Sequence, residues 1–292
     1  MSNSAASPVV IHGRPYAQRR AWQARIRMQV DAQDGRSRLR DCEHFGPLRI
    51  QKVLYPQGER IAQLLLLHPP GGIAGGDQLA IQLGVDENAH ALLTTPGAGK
   101  WYKSGGGIAR QDVALKVAAS AALEWFPQEA IVFDQAVAEQ TLTVDCAGDA
   151  RCCGWDIVVL GRQARSERFT AGRWSQRIEI RRDGRLQWLE RSRIAGDDEL
   201  LKSVVGWNGH HVSGLMWATG FVPDETLIDR CRACGDQGDV ILGVTALPEG
   251  PLLVRVLGSS AEHVRNMLTR IWTLLRPSLF GIDAQPPRIW ST

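Results

Sequence analysis

Apolar side chains recur at every second position over much of the first 220 residues, and no other property limits the fold of this chain so tightly. Trp22, Ala24, Ile26, Met28 and Val30 alternate with Gln23, Arg25, Arg27 and Gln29. The same alternation returns in residues 113–117, 141–146 and 174–180. A period of two places one set of side chains on one face of a strand and the other set on the opposite face. Asp34-Gly35 and Asp183-Gly184 each separate two such runs, where a type I′ hairpin turn would put them. Turn signals follow every ten or so residues, so the body is expected to be all-β, either a sandwich or a stacked coil of strands.

The period changes near the C-terminus. In residues 259–277, Val264, Met267, Leu268, Ile271, Leu274 and Leu275 trace one apolar stripe of a helix. Ser259 with Glu262 reads as its capping box and Pro277 as its end. A shorter helix is expected over 223–235, closed by Gly235 as the C′ residue. Between them, residues 239–247 and 250–258 read as a hairpin. No linker divides the chain, so residues 1–292 are expected to form one domain with a flexible stretch at 1–20.

Charge excludes some functions. The chain carries 34 basic and 31 acidic side chains, well mixed, for a net charge of +3, which leaves no footprint for nucleic acid. The densest basic stretch, 165–185, alternates with apolar residues and reads as the wet face of a sheet. No apolar run approaches the ~20 residues that span a bilayer, and the N-terminus lacks a signal-peptide pattern. A cytoplasmic protein is expected, with Cys42, Cys146, Cys152, Cys153, Cys231 and Cys234 as reduced thiols.

Residues 68–77, HPPGGIAGGD, form a tightly specified loop between two strands, with His68 at its entrance and Asp77 at its exit. A phosphate-binding role fails on context, since no helix pattern follows and GGIAGG is not a dinucleotide fingerprint. Residues 94–107 carry Gly99-Lys100 like a P-loop. Thr94 stands where the first glycine should be, and Trp101 where Ser or Thr should meet magnesium. Nucleotide binding is not expected at Lys100.

Together these segments resemble a family. HPPGGIAGGD, TTPGAGKWYKS (94–104), LEWFPQEAIVFD (123–134), GPLRIQKVLYPQG (46–58) and the C-terminal PPRIWST are similar, in order, to the urease accessory proteins called UreD or UreH. The resemblance runs from about residue 22 to the end, departing slightly at Ala74, Gly99 and Phe126. It implies a β-helix-like stack of strands with two α-helices near the C-terminus. It further implies a non-enzymatic maturation factor that docks on apo-urease and recruits the accessory proteins UreF and UreG, the latter a GTPase. No cofactor would be held tightly, with Ni²⁺ passing transiently. The alternatives are a plain adaptor with no metal path and an autonomous hydrolase.

Several residues could carry chemistry. Asp77, Asp156 and Glu190 gain interest from the resemblance, because a carboxylate on an apolar strand face requires hydrogen bonds, an ion pair or a cation. An arginine partner is the favoured reading for Asp156 and Glu190, and either a cation or an arginine for Asp77. A path that releases nickel quickly suits sparse carboxylates and an imidazole, so His68, Asp77, Asp156 and Glu190 are the candidate transient ligands. Cys231 and Cys234 make half of a zinc site and read as core. Cys152 and Cys153 face opposite ways on a strand. His210-His211 is a weak surface metal candidate. Glu124 and Glu129 are imaginable as an acid pair, but no catalytic motif is present.

Overall fold

The computed structural model describes residues 21–237 and 240–291. The expected flexible stretch at 1–20 and the start of the expected strand at residue 239 therefore lie outside the described residues. The chain winds as a β-solenoid-like coil of about four turns. In the first turn β4 (Ile61–Leu67), β5 (Gly72–Ile73) and β6 (Gln78–Val85) succeed one another. They are followed by β7 (His90–Thr94), β8 (Gly99–Trp101) and β9 (Ala109–Val117), then β10 (Ala122–Phe126), β11 (Ala130–Val132) and β12 (Val137–Cys146). The last turn is β13 (Arg151–Leu160) and β14 (Arg173–Arg182). Equivalent strands stack in parallel register: Ile61 pairs with His90, His90 with Ala122, and Ala122 with Arg151.

Hairpins close both ends of the coil. β1 (Gln23–Gln33) runs parallel to β6 and turns at Asp34-Gly35 into antiparallel β2 (Arg36–Phe45), while β14 turns at Asp183-Gly184 into β15 (Arg185–Ala195). Both residues of each turn have positive φ, as type I′ requires. The first sheet is ordered β15-β14-β12-β9-β6-β1-β2. Parallel sheets are normally covered on both faces, yet here arginines, glutamines and acids keep the outer face wet. Arg173 and Arg110 flank Glu139 on it, and Arg177 and Arg181 flank Glu179. The basic stretch expected to be a wet face is one.

The second sheet runs through β3 (Arg49–Leu54), β4, β7, β10 and β13 to β16 (Val212–Thr219), β18 (Leu252–Gly258) and β17 (Val240–Ala246). Its central strands are buried on both sides. One face meets the first sheet inside the coil, where Trp101 and Trp174 pack edge to face at 5.1 Å. The other face is covered by α1 (Glu225–Ala233) and α2 (Ala261–Phe280). Cys152 and Cys153 fall on opposite faces and both are buried, one in each core. At Gly154 any side chain would meet the indole of Trp217, at 2.3 Å.

Both helices exist with boundaries that differ from those expected. The N-cap of α2 is Ser260, whose hydroxyl accepts from the His263 amide; Ser259, assigned to the capping box, lies outside the helix. Pro277 lies inside the helix, which ends at Gly281 in the left-handed region. An internal proline costs about 3 kcal/mol, offset by the burial of Leu275 before it and Leu279 after it. The shorter helix α1 is capped by Asp224 and passes directly into a 3₁₀ turn over Cys234–Gln237, so Gly235 is not a left-handed stop.

Candidate functional site

Across β6, β9 and β12 the inner face of the first sheet is apolar except for one row, which continues onto β14. Gln111, Gln140 and Gln176 are register partners on β9, β12 and β14, on the positions that point into the coil. The Gln176 amide donates to Gln140 Oε1 at 3.0 Å. Facing this row from β13 is Asp156, 4% exposed. Gln140 donates to its Oδ2 at 3.0 Å and Gln176 to its Oδ1 at 2.9 Å. The arginine partner expected for Asp156 is not there; two neutral amides take its place. Burial pushes its carboxyl from the ordinary 3.8 up to about 6, against the pull of the two amides.

Asp156 and Gln140 line a cavity of about 270 Å³ between the sheets. Leu48, Leu66, Ile73, Leu79, Ile81 and Trp101 supply apolar wall, and its rim combines Gly71 of the first glycine-rich loop with Pro96–Lys100 of the second. His68 and Glu129 also line it. His68 is half-buried, and desolvation holds its imidazole below the usual range while nearby Asp77 acts in the other direction. Glu129 Oε2 is a buried acceptor without a hydrogen bond, 3.6 Å from Arg265 Nη1.

The cavity thus brings together two of the four candidate residues, His68 and Asp156. Asp77 lies outside it, and among the described residues no arginine pairs with it. Its carboxylate accepts the backbone amides of Trp22 at 2.8 Å and Ala74 at 2.9 Å, pinning the end of the loop and the start of β1. Glu190 does hold an arginine, though not a sequence neighbour: Arg255 of β18 meets both its oxygens, at 2.9 and 2.6 Å. The glutamine row escaped notice in the sequence, which offers Glu129 only as half of an acid pair. The available signal was a glutamine at the inward parity of three otherwise apolar strands.

Glycine in the two loops serves close packing between successive coils. A side chain at Gly75 would strike the Gly107 carbonyl at 2.8 Å, and one at Gly107 would strike the Gly76 amide at 2.7 Å. Lys100 sits on strand β8, exposed, and Trp101 is buried, so the segment has no P-loop geometry. The remaining candidates are structural. Cys231 and Cys234 are buried, and burial pushes the Cys231 thiol up to about 12. His210 and His211 both engage Ser259, at 3.2 and 2.9 Å. Glu124 is on the far face of the second sheet, bonded to His90, Trp272 and Arg276, and makes no pair with Glu129. Among the described residues no three His, Cys, Asp or Glu side chains are grouped to hold a metal.

The segments that looked diagnostic converge around this cavity and the aromatic cluster behind it. Trp290 of the C-terminal motif donates to Thr94 Oγ1 at 2.8 Å and packs on Phe126 and Trp155. Comparison with known proteins agrees along the same length. The family model described as UreD urease accessory protein matches residues 23–291. The chain is 47% identical over 275 residues to the urease accessory protein UreD of Dechloromonas aromatica, covering 93% of this chain and 95% of that protein. It is 46% identical over 274 residues to the UreD of Pseudomonas aeruginosa, covering 93% and 96%. Motifs that meet in space and similarity that runs through every turn of the coil identify the chain as a member of the UreD family of urease accessory proteins.

Proposed function

We propose that this chain is a maturation factor of urease that acts as a scaffold: it docks on apo-urease, recruits the accessory proteins UreF and UreG, and helps deliver Ni²⁺ to the active site. Family membership over nearly the whole chain carries this reading. Nucleotide hydrolysis belongs to the GTPase partner, in keeping with a lysine loop that lacks P-loop geometry. Passage of nickel through the coil is supported by the cavity, where a buried carboxylate has no cation of its own and an imidazole lies at the wall. A plain adaptor without a metal path is favoured by the placement of Asp77 and Glu190, whose oxygens are already taken by the protein outside that cavity.

Co-purification from cells that express the urease operon tests the scaffold role. A tagged chain should recover urease subunits together with the other accessory proteins. Recovery of none of them in a host that otherwise matures urease would end the proposal. Nickel per urease, measured for Asp156→Asn at unchanged complex yield, separates the conduit, where it falls, from the adaptor, where it does not.

A further inference from the structure

We propose that the cavity behind the glycine-rich loops is a recognition pocket for a basic side chain, lysine or arginine, presented by a partner protein. Four observations lead there. Asp156 is buried and its hydrogen-bond donors among the described residues are two neutral amides, so its charge is solvated but not neutralised. Burying an unpaired carboxylate is costly, and a cation arriving at that point recovers part of the cost. The walls leading to it are aliphatic and aromatic. A lysine or arginine carries a matching apolar stem behind its charged head.

The third observation is the rim. Side chains built at Gly71, Gly97 or Gly99 would meet nothing within 4 Å, so the mouth is open where a foreign backbone would have to come close, and glycine permits that approach. The fourth is charge placement. Lys100 at the rim is exposed to water, which screens it, whereas Asp156 and the unbonded Glu129 Oε2 are buried. Arg265 offsets Glu129 from 3.6 Å, leaving Asp156 as the uncompensated charge. A bare metal ion is served less well here, because it needs several oxygen or nitrogen donors at once and the described residues offer no such group. An organic cation needs one acceptor and brings its own apolar surface. The inference does not depend on nickel passing through the coil.

The test uses the full chain with n-butylammonium as the probe and n-butanol as its neutral counterpart, followed by calorimetry or thermal shift at pH 7.5 and constant ionic strength. A charged hydrogen bond to a buried carboxylate should favour the amine by roughly tenfold or more. Asp156→Asn should abolish that preference. In the unaltered chain the preference should also fade between pH 7.5 and pH 5, which keeps the test decisive should the variant fail to fold. Equal binding of amine and alcohol, no binding of either, or a preference that survives both the substitution and the low pH overturns the pocket. A photo-crosslinking residue in place of Pro96, in the assembled complex, addresses the occupant. A crosslink beside a lysine or arginine whose replacement by alanine removes it supports a protein-borne cation, and a crosslink to a segment with no basic residue overturns that assignment. Absence of the amine preference in the unaltered chain, with normal nickel content in urease, would fail this pocket without touching the maturation role.

Discussion

The guanidinium of Arg276 and the carboxylate of Glu124, each wholly buried, bind one another through Nη2 to Oε1 at 2.9 Å and Nε to Oε2 at 3.1 Å. Trp272 donates to the same carboxylate at 2.8 Å, and His90 meets it at 2.9 Å. Arg276 also reaches Gln57 Oε1 and the Asp283 carbonyl. One ion pair thereby ties α2, β10, β7 and the segment after α2 together. Removing one partner should be far worse than removing both. Glu124→Gln or Arg276→Met should cost about 3–5 kcal/mol each, and the double variant should recover a substantial part. Urea unfolding of the three variants checks it.

The same carboxylate sets an acid limit. Burial raises the Glu124 pKa, but the hydrogen bond and charge of His90 and the charge of Arg276 outweigh it, and the net direction is down. A depressed folded value contributes stability above the unfolded pKa that is lost as pH falls through the folded one. Asp156 has the opposite sign. Its carboxyl is raised to about 6, so its contribution is complete below the unfolded value near 3.8 and disappears as pH rises through 6, a change on the order of 3 kcal/mol. Subtracting the melting-temperature profile of Asp156→Asn from that of the unaltered chain between pH 4 and 7.5 should reveal this loss. A flat difference would mean that Asp156 titrates as an exposed acid.

Alternation made the strands legible, and the two Asp-Gly pairs gave both terminal hairpins in the correct turn type. What alternation could not reveal is which strand lies above which. Stacking is set by corners such as Asp86–Ala89, Ala118–Ala121 and Ala147–Ala150, where buried Ala89, Ala121 and Ala150 recur on successive turns and the Ala122 and Arg151 amides bond the corner below. Alanine carries little signal of its own. The site was half legible for a related reason. Strand parity places Asp156 inward, but its partners sit on the opposite sheet, on β12 and β14, and glutamine at an inward position looks unremarkable one strand at a time. Asp77 illustrates the converse, because a carboxylate satisfied by main-chain amides leaves no complementary residue for a reader of sequence to find.

The C-terminal motif acts as a clasp. Thr94 Oγ1 accepts from the Trp290 indole and donates to the Phe126 carbonyl at 2.6 Å. Thr94→Val should leave the indole and the carbonyl without this partner at a cost of about 1–2 kcal/mol. Trp290→Ala, which also removes ring packing on Phe126, Trp155 and Trp272, should cost about 2–4 kcal/mol. Denaturant midpoints should rank the unaltered chain above Thr94→Val, and that above Trp290→Ala. The reverse order would show that the tail is not packed in this way.

Lys100 should be silent toward nucleotides. It is exposed on a strand, with no helix N-terminus behind it. Calorimetry of the purified chain with GTP or ATP and magnesium should show no binding at micromolar concentration, and Lys100→Ala should leave stability within about 0.5 kcal/mol. Magnesium-dependent binding that the substitution removes would overturn the reading of both glycine-rich loops.

Asp77 decides between a loop anchor and a nickel ligand. Its two oxygens are occupied by the Trp22 and Ala74 amides, so Asp77→Ala strips acceptors from two backbone groups at about 1–3 kcal/mol. The loop exit and the first strand of the coil should loosen together, and less folded chain should reach the complex. Asp77→Asn keeps one acceptor oxygen for one of the two amides and should recover part of the loss. As an anchor, Asp77 should affect complex yield, while nickel per recovered urease stays the same in both variants. As a ligand it would give the reverse pattern: full yield, reduced nickel, and no rescue by asparagine. Measuring both quantities in one preparation distinguishes them, and the hydrogen bonds already in place set the expectation of an anchor.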